Sequence, residues 1–469
     1  MQRLLWPVLC LVYGLAHAQV PPPIAQALKL AGIPEAAVSL YVHELGMPEP
    51  VVSHRAEASM NPASVMKLVT TYAALELLGP AYEWSTDILT DGALQGDVLV
   101  GNLYIKGGGD PKLVIENIWL MLRKLRAKGV REIRGDLVLE RGLFTTEHPD
   151  PGLFDGEPMQ PYNTTPDALL ANYKTFTLTF TPDADTRSVR ITVEPPLPQL
   201  QIVNNLVYAE GACGNWLSRF KTQTQDAGDS ARLTFTGSYA QSCGEQVNYY
   251  SVMSHRGYFG AMFRYLWRDL GGAFTGRVRD GAVPAGAAKL VEQPSQSLSE
   301  IVRYINKFSN NVMARHILLT LGTQAGAGGA PGTPANGARA VQQLFAAKGI
   351  SMPELVLENG SGLSRIERVS ARGMGQMLAV AYRSAVMPEF MASMPLVGVD
   401  GTMYRRLRNT GVSGQAHVKT GLLTGVRALA GYVLDQRGRR VAAVLLINHA
   451  NAHNANAVQD AFLRWIHGR

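Results

Sequence analysis

The sequence predicts an α+β chain in which the N- and C-terminal parts share one domain and a large, mostly β region is inserted between them. Three observations predict it. Helical and strand-like patterns mix near both ends. From about Trp84 to Thr275 the texture changes to short β-like runs separated by turn residues. At 469 residues the chain is also far longer than one core needs, taking roughly 150 residues per domain. The composition, 46% hydrophobic and 17% charged, is that of a folded protein and excludes a disordered chain or one with many membrane spans.

The first element is MQRLLWPVLCLVYGLAHAQVPPP. Arg3 supplies a positive start, residues 4–15 are an apolar run too short to span a bilayer, and Ala16-His17-Ala18 fits a small-x-small cleavage pattern. This predicts an export signal over residues 1–18, cleaved after Ala18, with an N-terminal membrane anchor as the alternative. Export through such a signal places the mature protein in the periplasm. Loss of Arg3 takes the formal charge from +7 to +6. A mildly basic exported protein is drawn to anionic surfaces such as phospholipid or acidic wall polymer. Nucleic acid is excluded as a partner by the compartment and by the lack of a basic helix, zinc spacing or aromatic RNA-binding motif. With the signal goes Cys10, leaving Cys213 and Cys243. An even pair in an oxidising compartment predicts a disulfide, with two buried thiols as the alternative.

Residues 37–45 (AVSLYVHEL) alternate as a strand, and residues 51–55 pair with it across the turn at 46–50. A helix follows. Asn61 caps it, Pro62 is tolerated in its first turn, Leu68, Val69, Tyr72, Leu75 and Leu78 form its apolar side, and Gly79-Pro80 ends it. The region 84–275 then carries VLVGNLYIKG, LTFTP, SVRITVEP and ARLTFTGSY. It reads as an insertion of two nested domains. GGGD at 107–110 has no following Lys-Ser/Thr and reads as a turn rather than a phosphate cradle. Helical patterns return at 258–270 and 298–321. QAGAGGAPGTPANGA, from Gln324, has the composition of a flexible loop, and a helix follows at 338–348. AHVKTG, ALAGYVLD and VAAVLLINHA are consecutive strands, the last two joined at 436–438. A helix at 455–465 closes the chain. Val458, Phe462, Trp465 and Ile466 on one side of it imply core packing first and membrane-surface attachment second. Residues 19–83 and 276–469 thus make up the discontinuous outer domain.

Chemistry enters at Ser64-Val65-Met66-Lys67. Positions three apart on a helix share a face, so the amine reaches the hydroxyl. Serine is a weak nucleophile until a base takes its proton, and lysine serves only when uncharged, with its pKa lowered by desolvation or a nearby cation. The helix N-terminus offers N–H groups to a developing oxyanion. The spacing alone is cheap, since Ser218 and Lys221 repeat it. Two partners add weight. Ser309-Asn310-Asn311 lies at the join of two helical stretches, where a helix cap is the plain alternative and Ser59-Met60-Asn61 is a second match. Lys419-Thr420-Gly421 occurs once, on a strand, where an edge lysine is the plain alternative.

The order Ser-x-x-Lys, Ser-x-Asn, Lys-Thr-Gly resembles that of the active-site serine penicillin-recognising enzymes. KGGGDPKL, PYNTTPDALLANY, ENGSGLSR and KTGLLTGVRALAGYV are similar to the class C low-molecular-mass penicillin-binding proteins, the D-alanyl-D-alanine carboxypeptidases/endopeptidases. The long gap between Ser64 and Ser309 fits that family, whereas class A β-lactamases have a much shorter one. The resemblance implies a penicillin-binding/β-lactamase-like transpeptidase domain, an antiparallel sheet flanked by helices, carrying the insertion. It implies a DD-peptidase that acts on peptidoglycan peptides, is acylated by β-lactam antibiotics and needs no cofactor or metal.

By the same resemblance, Ser64 attacks the D-Ala-D-Ala carbonyl and Lys67 is its base. Ser309 relays a proton to the leaving amine, and Asn311 binds the substrate backbone and positions Lys67. Lys419 supplies positive charge, Thr420 bonds near the substrate carboxylate and Gly421 permits close approach. The N–H groups of Ser64 and Leu422 form the oxyanion hole. Arg365 and Asp155 correspond to family positions near the pocket for the peptide stem. Leu422 departs from the usual Ser or Thr, and Asn359 from a common Asp. Two alternatives stand beside this reading: a β-lactamase or serine esterase on the same fold, and a non-catalytic peptidoglycan-binding protein.

Overall fold

Five antiparallel strands form the sheet of one unit of the computed structural model, which describes residues 19–145, 150–326 and 329–469. Their order is Ala416–Leu423, Val426–Leu434, Arg440–Asn448, Val38–Glu44, Val52–His54. The predicted export signal, with Cys10, lies outside the described residues. The last hairpin pairs Leu429 with Leu445, and Leu445 in turn faces Leu40, so the C-terminal hairpin completes its sheet on an N-terminal strand. Alternation sends Val38, Leu40, Val42, Val418, Leu429, Val433, Ala443, Leu445 and Ile447 to one face. There they meet Ile24 and Leu28 of the helix Pro22–Ala31 and Val458, Phe462 and Ile466 of the helix Asn456–His467. The core takes the apolar side of that last helix, which therefore has no such face to offer a membrane. Among the described residues no helix is long and apolar enough to cross one.

The opposite face carries Tyr41 and Tyr432, whose hydroxyl donates to the Leu378 carbonyl of the helix Ala371–Tyr382 at 2.7 Å. In the same unit the helix Met66–Leu78 is buried from Met66 to Leu75 on every side. This differs from the one-sided helix that the pattern predicts. Thr70, Thr71 and Lys67, the polar side of that pattern, are buried because each finds a partner inside.

The second unit comprises described residues of 78–301 and 310–340, and the first the remainder, so 276–301 and 310–340 group differently from the expected division at 84 and 275. It holds a five-stranded sheet (Val278–Asp280, Leu137–Glu140, Leu103–Lys106, Ser85–Thr90, Ala288–Pro294), a four-stranded one and two of three strands. The helices Ile115–Ala127 and His255–Asp269 lie against one another. One core cluster runs from Ile88 to Val291 and includes Phe180, stacked on Phe220 and edge-on to Phe235. Cys213 and Cys243 are joined as a disulfide there. The predicted helix over 298–321 is two, Leu298–Phe308 and Asn311–Ala325, and Asn310 caps the second by accepting from the Met313 N–H. The glycine-rich stretch is shorter than its composition suggests. The next helix, Pro334–Ala347, starts on a proline that needs no N–H partner.

Candidate active site

Ser64 sits in a single 3-10 turn, Ala63–Val65, that runs directly into the helix Met66–Leu78. Asn61 does not cap this helix as the sequence suggests. Its Oδ1 accepts from the Ala63 N–H at 2.8 Å. Its backbone exchanges hydrogen bonds with the Asn448 amide at 2.8 and 3.0 Å, and its Nδ2 donates to the Ser364 carbonyl at 2.9 Å. The turn that carries Ser64 is thereby pinned to the end of the last strand. Residues three apart eclipse in a 3-10 turn, and Lys67 Nζ lies 3.1 Å from Ser64 Oγ. Lys67 is fully buried, and its amine also donates to the Ser361 carbonyl. One turn on, Thr70 Oγ1 donates to the Gly360 carbonyl at 2.7 Å. The ENGSGLSR segment is thus the wall against which the lysine is held.

Ser309 ends the helix Leu298–Phe308. Asn306 of that helix donates to Thr71 Oγ1 and Ser393 Oγ at 3.1 and 2.9 Å, tying it to the helix of Lys67. Lys307 pairs with Asp400 at 2.6 Å. Lys419 Nζ donates to Ser309 Oγ at 2.8 Å and to its neighbour's carbonyl, Thr420 O, at 2.7 Å. The sequence alternative, an exposed edge lysine, does not describe it: Lys419 is fully buried, and burial pushes its amine down from 10.5 to about 7. Near neutrality it carries its charge only in part. Thr420 Oγ1 lies 3.4 Å from Thr402 Oγ1. A Cβ on Gly421 would lie 2.5 Å from the Pro62 carbonyl and 3.0 Å from Ala63 Cβ, so only glycine lets this strand run along the Ser64 turn. The next residue, Leu422, is 60% exposed.

Ala63 and Ser309, which precede and carry the two hydroxyls, are non-glycine residues at φ 45° and 59°. Left-handed backbone costs such residues roughly 1–2 kcal/mol, and strain of this kind persists where surroundings over-determine it.

Ser64, Lys67, Ser309 and Lys419 therefore lie together in the first unit as two serine–lysine pairs. Arg365, in the same unit, is exposed and donates to the Thr424 carbonyl at 3.4 Å. Asn311 and Asp155 belong to the second unit. There Asn311 Nδ2 donates to the Tyr162 carbonyl at 3.2 Å, and the Tyr162 hydroxyl donates to Asp155 Oδ2 at 2.9 Å. Burial and Asp155 push the Tyr162 phenol up to about 12. The second Ser-x-x-Lys is unlike the first: Ser218 Oγ donates to the Asn215 carbonyl at 2.7 Å, and Lys221 is exposed on the strand Phe220–Asp226. Asn359 uses both ends of its amide, donating to the Leu363 carbonyl at 2.9 Å and accepting from the Ser361 N–H and Oγ at 2.9 and 2.7 Å. An Asp in its place could not make the first of these bonds.

Sequence reading missed Tyr162, Asn306, Lys307 with Asp400, and Glu367. All but Asp400 lie in or near a stretch the motifs mark, but no residue pattern there distinguishes them from their neighbours. The one usable signal was the Gly-Ser-Gly of ENGSGLSR, where Gly362 has φ 81° and a Cβ would overlap the Ala63 carbonyl. Among the described residues no group of three or more His, Cys, Asp or Glu side chains could hold a metal.

A family model described as the D-Ala-D-Ala carboxypeptidase 3 (S13) family matches residues 23–468. A D-alanyl-D-alanine carboxypeptidase from Actinomadura sp. is 30% identical over 444 residues, covering 91% of this chain and 80% of that one. Penicillin-binding protein 4 (dacB) from Haemophilus influenzae matches in structure with a TM-score of 0.77 at 25% identity, over 92% of this chain and 94% of that one. The same Haemophilus protein complexed with a β-lactam matches with a TM-score of 0.76 at 23% identity, over 95% and 99% of the two chains.

Proposed function

Since the chain belongs to the D-Ala-D-Ala carboxypeptidase 3 (S13) family, we propose that it is an exported DD-peptidase that works through a Ser64 acyl-enzyme. It is a serine-type, penicillin-binding D-Ala-D-Ala carboxypeptidase acting on peptidoglycan. The proposal adds the residues, the periplasmic location and cleavage of D-alanine cross-links besides the terminal residue. The observation that carries it is the pair of contacts in one unit, Lys67 Nζ to Ser64 Oγ at 3.1 Å and Lys419 Nζ to Ser309 Oγ at 2.8 Å.

In this mechanism Lys67 Nζ takes the proton of Ser64 Oγ as that oxygen attacks the penultimate D-Ala carbonyl. The N–H groups of Ser64 and Leu422 receive the oxyanion. Ser309 passes a proton to the leaving amine and is itself held by Lys419, and Asn311 bonds the substrate backbone. Thr420 and the charged fraction of Lys419 meet the substrate carboxylate. Arg365 and Asp155 contact the stem side chain. Water then hydrolyses the acyl-enzyme. β-Lactams acylate the same serine, a reading supported by the β-lactam complex of the Haemophilus relative.

Labelled penicillin is expected to modify the wild type at Ser64 and to leave Ser64→Ala unlabelled. Equal labelling of that variant overturns the nucleophile assignment. Rapid turnover of penicillin in place of stable labelling favours a β-lactamase. Digestion of purified cross-linked muropeptides, with products identified by mass, separates loss of a terminal D-alanine from cleavage of a cross-link.

A further inference from the structure

Glu367 is a fully buried carboxyl that no motif accounts for. It belongs to the first unit, three residues beyond the Ser364 whose carbonyl holds Asn61. One of its oxygens, Oε1, accepts from three consecutive backbone N–H groups, Glu358 at 3.2 Å, Asn359 at 2.9 Å and Gly360 at 2.8 Å. Those groups open the segment whose next carbonyls reach the nucleophile helix: Gly360 O accepts from Thr70 and Ser361 O from the Lys67 amine. The other oxygen, Oε2, is buried with no hydrogen-bond partner among the described residues.

We propose that Glu367 is a positioning residue for Lys67, its carboxylate gathering the 358–360 backbone into a fixed loop and so setting the Ser361 carbonyl that aims the lysine amine at Ser64. Three donors converging on one acceptor oxygen define a loop more tightly than its own glycines do, since Gly360 and Gly362 both lie at positive φ. The unsatisfied second oxygen argues that stability alone does not account for the residue, because a buried acceptor without a donor carries a desolvation cost. Two charged groups bear on Glu367. Burial pushes its carboxyl up, the Asn359 and Gly360 amides and the Lys67 charge favour its ionised form, and Glu358 opposes ionisation. Its own charge correspondingly favours the ammonium form of Lys67, the form created when Lys67 takes the Ser64 proton.

This inference rests on Lys67 acting as the base for Ser64. It is tested by acylation kinetics with labelled penicillin, resolved into initial binding, the acylation rate and the fraction labelled at completion. Glu367→Ala is expected to lower the acylation rate by about tenfold or more, because misplaced reacting groups lose rate rather than binding, while binding and the labelled fraction stay as in the wild type. Glu367→Gln keeps an acceptor oxygen at the same reach and is expected to restore most of that rate. Glu367→Asp, one methylene short of the three amides, is expected to remain slow. An alanine variant that acylates at the wild-type rate, or whose loss lies only in the labelled fraction, overturns the proposal. Should Glu367→Ala not fold, equal wild-type rates for the Gln and Asp variants overturn it. Wild-type labelling that is absent from Ser64→Ala keeps the two failures apart: if that control fails, the Ser64 nucleophile falls and Lys67's role as its base falls with it, and if it holds while the Glu367 variants are normal, only the role of Glu367 falls.

Discussion

Lys419 shows what one residue gives up to be where it is. Its amine has two acceptors, Ser309 Oγ and Thr420 O, and no carboxylate partner among the described residues, and burial drives it from 10.5 to about 7. The sign of the linked effect on stability follows. Below pH 7 both folded and unfolded chains hold the proton, and the folded form bears the full cost of a buried ammonium. Between about 7 and 10.5 the folded chain sheds the proton first, and stability rises with pH. Lys419→Met should therefore compare best with the wild type at pH 6 and lose ground toward pH 10, read as the difference in Tm at each pH. A pH-independent difference would mean that the amine is not depressed. The same titration predicts that capture of a peptide carboxylate weakens as pH rises through about 7, read as KM for a D-Ala-D-Ala peptide. At this scale the sequence was informative about identity and silent about environment. The single Lys-Thr-Gly marked Lys419, but no spacing could reveal that it is buried. Glu367 was invisible, because its meaning lies in three backbone groups and in Lys67, which is 300 residues away.

At the scale of elements, the strands were legible and the helix surfaces were not. The hairpin over Val426–Leu434 and Arg440–Asn448 follows from continuous apolar runs around a Gln-Arg-Gly turn, and the structure differs only at its ends. The helix Met66–Leu78 misled because its polar side is buried too. Pattern reading assumes that a polar side faces water, but here Thr70, Thr71 and Lys67 face the Gly360 carbonyl, Asn306 and Ser64. The turn at Gly362 connects these elements. Its φ of 81° and its approach to Ala63 leave no space for a side chain. Gly362→Ala is expected to lower Tm and to slow acylation by about tenfold or more, through displacement of the Ser64 turn. A variant that loses Tm but labels at the wild-type rate would show that the loop does not set the nucleophile.

At the scale of the molecule, each unit has a core of its own, one from Ile88 to Val291 and one beneath the five-stranded sheet. The change of texture near residue 84 signalled the second unit. Its return to 310–340 was not legible, because helices there pattern like those of the first unit. Separate cores predict separable unfolding. Reduction of Cys213–Cys243, which closes a loop of 30 residues, should shift only the calorimetric transition of the second unit. The chain-entropy expectation is about 3–4 kcal/mol. Labelling at Ser64 at ambient temperature should be unchanged, and a single transition that moves as a whole would contradict the division.

The sheet order has a further consequence, for synthesis. Val38–Glu44 has its main partner in Arg440–Asn448, and the Lys419 strand joins only through Val426–Leu434. An N-terminal strand must wait for a hairpin made late in the chain, so the contacts around Ser64 close across a long stretch of polypeptide. A nascent chain halted anywhere before residue 440 has Ser64 and lacks the strand that frames it. The framework around Ser64 is therefore incomplete until the chain extends through Arg440–Asn448.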